Sequence, residues 1–160
     1  MGRLFDAVAA LCGLRATVTY EGQAAAELEA ACDPHERGAY PLPAGDGALL
    51  DARETVLAVA RDAAAGVPVG VVSARFHRAV ADATARACVE VAARAGTDRV
   101  ALGGGVFQNV RLLAWTSTRL EAAGLRVLVP ERLPPNDGAI SYGQAAVAAA
   151  GPARPVGGVR

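Results

Sequence analysis

Between Arg99 and Ala150 the sequence runs twice through one order of signals, and that order restricts the folds open to the chain more than any other feature. Arg99-Val100-Ala101-Leu102 is a short apolar run, followed by Gly103-Gly104-Gly105 and by a helical pattern from Asn109 to about Ala123, with Gly124 just past it. Leu125 to Val129 is a second β-type run, followed by a loop over Pro130 to Asn136 and a last helical pattern over Asp137 to Ala150. Strand, helix, strand, helix predicts a parallel pair joined by a crossover helix, hence an α/β domain.

The upstream residues supply helices to cover that pair. Val69, Val72, Phe76, Val80, Ala83, Ala87 and Val91 recur at steps of three or four between Pro68 and Gly96, which predicts a long, largely buried central helix over 69–94. Leu4, Val8, Leu11 and Cys12 predict a first amphipathic helix over 2–14, Ala24 to Ala31 a second, and Arg53 to Ala65 a third. The breakers Pro34, Gly38, Pro41, Pro43, Gly45 and Gly47 make 33–47 loop-rich. Thr17 to Tyr20 and Ala48 to Asp51 read as short extended pieces, and Ala39 to Leu42 as an edge strand. Residues 1–150 are expected to form one domain, and the Gly- and Pro-rich 151–160 a mobile tail.

Composition narrows the chemistry. Hydrophobic residues make up 52% of the chain but aromatic ones only 4%, so the core has to be built from Ala, Val and Leu. All 16 cationic residues are Arg, which excludes Schiff-base chemistry and a P-loop lysine. The 16 acidic residues balance them without any run of like charge, so direct nucleic-acid and membrane-surface binding are not expected. No apolar run approaches the ~20 residues of a membrane span, and the expected location is cytoplasmic. Cys12, Cys32 and Cys88 form no C-x-x-C pair and read as reduced core thiols. His77 reads as a hydrogen-bonded packing residue of the long helix, and His35, between Pro34 and Glu36, as exposed.

Two turns follow the two predicted strands: Gly103-Gly104-Gly105 and Pro134-Pro135-Asn136-Asp137-Gly138. Beyond the carboxyl ends of parallel strands they would share one rim, where ligands of open α/β sheets collect. The glycine turn has two readings: a tight turn, or a phosphate site in which unpaired N–H groups at the start of the following helix accept an anion. Asp137 reads as an N-cap or as a metal- or phosphate-linked carboxylate, and the two are compatible. Glu27 and Glu29 read as the solvated face of the second helix. The residues alone support a ligand-binding half-site more readily than a complete active site.

Met1 to Leu11, Tyr20-Glu21-Gly22-Gln23-Ala24-Ala25 with Glu27-Leu28-Glu29, Ala74-Arg75-Phe76-His77, Leu102 to Leu112, and Pro134 to Gly138 with Gly143-Gln144-Ala145 resemble the C-terminal end of the HypF carbamoyltransferases of [NiFe]-hydrogenase maturation. The resemblance implies the second lobe of an actin-like ATPase domain (ASKHA, ribonuclease H-like), a mixed sheet with packed helices, similar to the enzymes that make threonylcarbamoyladenosine on tRNA. It implies a reaction in which carbamoyl phosphate and ATP give carbamoyl-adenylate and the carbamoyl group passes to the C-terminal cysteine of a HypE-type partner. By resemblance Gly103, Gly104 and Gly105 face the nucleotide phosphate and Asn109 lies near the nucleotide. Asp6, Gly22 and Glu27 would cradle the nucleoside, and Asp137 would ligate a divalent metal, iron or zinc, together with a first lobe. The tRNA-modifying relatives place the last acid where this chain has Asn136 and a second glycine where it has Gln23. A first lobe and the upstream domains of that family are absent from these residues, so the expectation is a piece of a longer protein that is inactive alone. The alternatives are a non-catalytic subunit completing a separately encoded first lobe, and a lobe of a tRNA-modifying paralogue.

Overall fold

A computed structural model describes residues 1–45 and 48–151. The helices expected from periodicity form α1 (Gly2–Leu11), α2 (Gln23–Ala30), α3 (Arg53–Ala64), α4 (Val69–Ala95), α5 (Val110–Ala122) and α6 (Ile140–Ala150). The two apolar runs form β1 (Arg99–Ala101) and β2 (Arg126–Leu128), which pair in parallel with Val100 opposite Val127. Hydrogen bonds from Arg126 N to Asp98 O and from Leu102 N to Leu128 O extend the ladder by one rung at each end. The crossover between them is α5, as the strand-helix-strand order requires.

The long stripe of α4 is the spine of the core. Val72, Phe76, Val80 and Ala83 are fully buried against Phe5 and Val8 of α1, Leu28 of α2, Val59 of α3 and Leu112 of α5. Phe5 and Phe76 meet edge to face with centroids 4.9 Å apart, the favoured geometry for two ring quadrupoles. With so few large rings, each contributes a large share: burying one such side chain stabilises by roughly 2–3 kcal/mol. A second, smaller cluster, Ala85, Leu102 and Leu120, seats β1 and α5 on the far end of α4. The small residues let helices approach closely. A Cβ on Gly70 would stand 2.8 Å from Ala31 O, so only glycine admits the end of α2 at this point, where Asp33 N donates to Gly70 O.

The short extended pieces do not form strands. Thr17 to Tyr20 is a series of bends, held by Gln23 Oε1, which accepts from Thr19 N at 2.9 Å and Thr19 Oγ1 at 3.1 Å. Ala39 to Leu42 packs on α4 through Tyr40 N to Arg75 O instead of on a sheet edge, since Pro41 and Pro43 remove two of the donors a ladder needs. In Ala48 to Asp51 only Leu50 bridges, to Ala44, while Ala48 takes a left-handed φ of 63°. The tail expected over 151–160 lies, after Gly151, outside the described residues, as do Asp46 and Gly47.

Candidate functional site: two turns on one rim

The structure brings the two turns into direct contact. As the chain leaves β1, Gly104 adopts φ +94° and ψ 156°, a region essentially reserved for glycine, and its N–H donates to Pro135 O at 2.5 Å. A short 3-10 turn, Gly105–Gln108, follows, with Phe107 N donating to Gly104 O. A Cβ on Gly105 would lie 3.9 Å from Asn136 Cβ, whereas at Gly103 and Gly104 it would meet nothing within 4 Å. The turn is thus supported from the Pro134–Gly138 side and open on the other. Among the described residues the N–H groups of Gly103, Gly105 and Val106 donate to no protein acceptor.

The start of α5 is different from the sequence expectation. Two of its first three amides are already taken: Asn109 is the N-cap, with Oδ1 accepting from Leu112 N at 2.8 Å, and Glu29 Oε1 reaches across from α2 to accept from Arg111 N at 3.2 Å, so that only Val110 N donates to no protein acceptor among the described residues. Neither Glu29 nor Glu27 therefore belongs to a merely solvated face. A phosphate in this region would find most of its donors in the glycine turn, because the helix start is largely satisfied by the protein itself. Asp137 is likewise not the cap of the last helical stretch. Asn136 is, accepting from Gly138 N at 3.1 Å, which leaves the Asp137 carboxylate in the first turn without a capping duty.

Behind the glycine turn runs a buried polar relay. Ser73 Oγ donates to Leu28 O at 2.5 Å, His77 Nδ1 lies 2.8 Å from Ser73 O and 3.3 Å from Ser73 Oγ, and His77 Nε2 lies 2.8 Å from Asn109 Nδ2. A carbonyl only accepts, so Nδ1 carries the proton, and Nε2 accepts from the Asn109 amide, whose oxygen is committed to Leu112 N. Every atom of the relay then has a complementary neighbour. Phe5 and Trp115 shield the imidazole edge-on, with centroids 5.2 and 6.4 Å away. Burial, opposed by the Ser73 backbone bond and helped by the Arg111 charge, holds the His77 pKa down to about 4. The sequence marks His77 as a hydrogen-bonded packing residue. Two signals could have tied it to the site: Ser73 one turn away on the same stripe, and Asn109 three residues before the amide that it caps.

The remaining candidates lie on the α1–α2 side. Asp6 is exposed on α1, and Gly22 is the left-handed N-cap of α2, φ +82°. Glu27 is held by Arg15 at 2.5 Å and by Gln23 Nε2 at 3.2 Å. Gln23 thus anchors the loop before α2 and the Glu27 carboxylate together, which is what this chain makes of that position. Among the described residues no hydrogen bond joins Asp6, Gly22 or Glu27 to the glycine turn; α2 meets the start of α5 through Glu29, and α1 meets the buried relay through the Phe5–His77 contact.

No group of three or more His, Cys, Asp or Glu among the described residues could hold a metal ion, so Asp137 alone does not make a metal site. Burial raises the pKa values of Cys12, Cys32 and Cys88, which keeps them in the unreactive thiol form. Two surface hollows, near Asp82 and Arg119 (about 420 Å³) and near Tyr40, Asp62 and Arg75 (about 480 Å³), lie away from the turns. The rim is an open surface.

The family described as carbamoyltransferase, Kae1-like domain, second subdomain, matches residues 1–144. The carbamoyltransferase HypF of Synechocystis sp. (strain ATCC 27184 / PCC 6803 / Kazusa) is 40% identical over 148 residues, which cover 90% of this chain and 18% of that protein. The HypF of Rhizobium leguminosarum bv. viciae is 41% identical over 149 residues, 92% of this chain and 19% of the relative. Among solved structures, full-length HypF in the phosphate- and nucleotide-bound form superposes with a TM-score of 0.83 at 39% identity, over 92% of this chain and 20% of that one. T. kodakarensis HypF gives 0.78 at 28% identity, over 92% and 19%. The chain spans about a fifth of the length of these HypF relatives.

Proposed function

The chain belongs to the second-subdomain family of the Kae1-like domain of HypF-type carbamoyltransferases, the second lobe of an ASKHA-like fold, and from that premise we propose that it forms one wall of a nucleotide site used in ATP-dependent carbamoyl transfer. The observation that carries this reading is the contact of the two rim turns, in which Gly103, Gly104 and Gly105 are exposed and the N–H groups of Gly103, Gly105 and Val106 have no protein acceptor among the described residues, so that backbone donors remain for a phosphate. In this reading carbamoyl phosphate and ATP give carbamoyl-adenylate, and the carbamoyl group passes to the C-terminal cysteine of a HypE-type partner. The nucleotide- and phosphate-bound form of the HypF relative supports the ligand class. Asp6, Gly22 and Glu27 line the nucleoside side, and Asp137 is one carboxylate of a metal site that a first lobe completes.

A wall needs an opposite wall. No residue of α6 is buried, and Ile140, Tyr142 and Val147 stand 52%, 62% and 73% exposed, while Leu128 and Val129 at the β2 end are exposed as well. A two-stranded parallel sheet is also far below the usual size, since parallel sheets are ordinarily covered on both faces. Both features support a function carried out against a first lobe, supplied in the same or another polypeptide. The test is ATP titration of the chain alone and of the chain combined with a HypF first lobe, followed by carbamoyl transfer to a HypE-type protein. Weak binding alone, tighter binding in the combination, and transfer only in the combination are expected. Transfer by these 160 residues alone, or a combined protein in which ATP leaves the Gly103–Gly105 amides unmoved, would refute it.

A further inference from the structure

We infer that His77, fixed with its proton on Nδ1, is the positioning residue of the glycine turn: through Asn109 it sets the conformation in which the Gly103–Gly105 peptides face a nucleotide's phosphate. The inference rests on the nucleotide reading above for its ligand, but its geometry is independent of it.

The mechanical link is short. Asn109 N donates to Val106 O and so closes the 3-10 turn that begins at Gly105, while Phe107 N donates to Gly104 O two residues earlier. The Asn109 side chain can serve that turn only in one orientation, because Leu112 N must meet its oxygen at 2.8 Å and its Nδ2 then points at His77. An imidazole protonated on Nε2, or on both nitrogens, would present an N–H to that N–H. Asn109 would have to rotate, lose the cap and release the residues between it and Gly105. The Ser73 carbonyl excludes the Nε2-protonated tautomer by accepting a hydrogen bond from Nδ1–H, burial disfavours the doubly protonated form, and the Ser73 hydroxyl in turn is tied to Leu28 O of α2. His77 is fully buried and out of reach of any ligand at the rim, so its part is to place the turn and not to touch the nucleotide. The choice of tautomer in the core of α4 thereby reaches three surface glycines that have no side chains of their own, alongside the packing of Val106 and Phe107 on the core.

The test uses the whole chain labelled with ¹⁵N at glycine and histidine. The imidazole signals should report a proton on Nδ1 and a bare, hydrogen-bonded Nε2. Without ligand, His77→Gln, whose amide oxygen can still accept from Asn109, should leave the Gly103–Gly105 amide signals near their original positions. His77→Leu should displace them and weaken ATP binding about tenfold, the scale of one buried bond lost. Asn109→Ser is the second variant: its hydroxyl oxygen keeps the cap on Leu112 N but cannot reach His77, so it should displace the same signals even if His77→Leu fails to fold. A proton on Nε2, or glycine signals unmoved in both His77→Leu and Asn109→Ser, would overturn the inference. If ATP moves nothing in the original chain while both substitutions displace the turn, the nucleotide reading falls and the positioning role stands.

Discussion

Lowering the pH should unfold this chain through His77 well before its carboxylates titrate. The group is neutral in the folded protein with a pKa near 4, while an unfolded histidine titrates near 6.5. Above about pH 7 both states are neutral and the site adds no pH dependence. As pH falls through about 6.5 the unfolded chain takes up a proton that the folded chain refuses, so the unfolded state binds more protons and stability declines. The slope approaches about 1.4 kcal/mol per pH unit and persists until the folded imidazole also protonates near 4. Integrated to about pH 5 the loss is about 2 kcal/mol, and over the whole window about 3 kcal/mol. Glu27, Glu36 and Asp51 also have lowered pKa values, but their contribution is present above the unfolded carboxylate values and is lost only below about pH 4.5, outside the window. Urea unfolding at several pH values, with His77→Gln as the comparison, isolates the effect. The original chain should lose about 2 kcal/mol between neutral pH and about pH 5, and the variant should lose little over that range. Parallel lines for the two proteins would show that His77 is not buried in neutral form, and the relay would have to be redrawn.

Four further substitutions test the packing and the rim. Asn109→Ala removes the cap of α5 and strands His77 Nε2, and should destabilise by about 2–4 kcal/mol in chemical denaturation, more than cap loss alone. Gly104→Ala forces a Cβ into a backbone region closed to alanine. It should lower stability by about 1–3 kcal/mol and abolish ATP-induced shifts in the neighbouring amides. Gly70→Ala places a methyl 2.8 Å from Ala31 O and should part α2 from α4, with a loss of about 1–3 kcal/mol and faster amide exchange in α2. Thr116→Val should stabilise by about 1 kcal/mol, since Thr116 Oγ1 is the buried side-chain oxygen left without a partner among the described residues, and a fall in the denaturation midpoint would point to an unseen partner.

The elements that periodicity specifies strongly were legible. The α4 stripe is long enough that only a helix satisfies it, and the Val-containing runs around Val100 and Val127 could pair only in parallel once α5 intervened. The same logic sets the glycine turn beside the Pro134–Gly138 loop, where Gly104 N meets Pro135 O. The extended pieces were not legible, because alternation over four residues does not distinguish a strand from a loop pinned by side chains. At Thr17 to Tyr20 the deciding partner is Gln23, and at Ala39 to Leu42 it is the carbonyl of Arg75, a residue thirty-five positions beyond Tyr40.

The start of α5 shows why sequence reasoning went furthest astray at the site. Glycines followed by a helix imply free amides at the helix N-terminus, and a phosphate there would gain from the dipole. That gain is at most about 1–2 kcal/mol, and it would require displacing Asn109 Oδ1 and Glu29 Oε1, the first of which leaves a buried amide and a buried imidazole unpaired at about 1–3 kcal/mol each. The balance favours the protein's own caps. The amides of Gly103, Gly105 and Val106 have no such competitors, so an anion arriving at this rim meets most of its donors one turn earlier than the sequence suggests, and the helix adds Val110 N and holds that turn still.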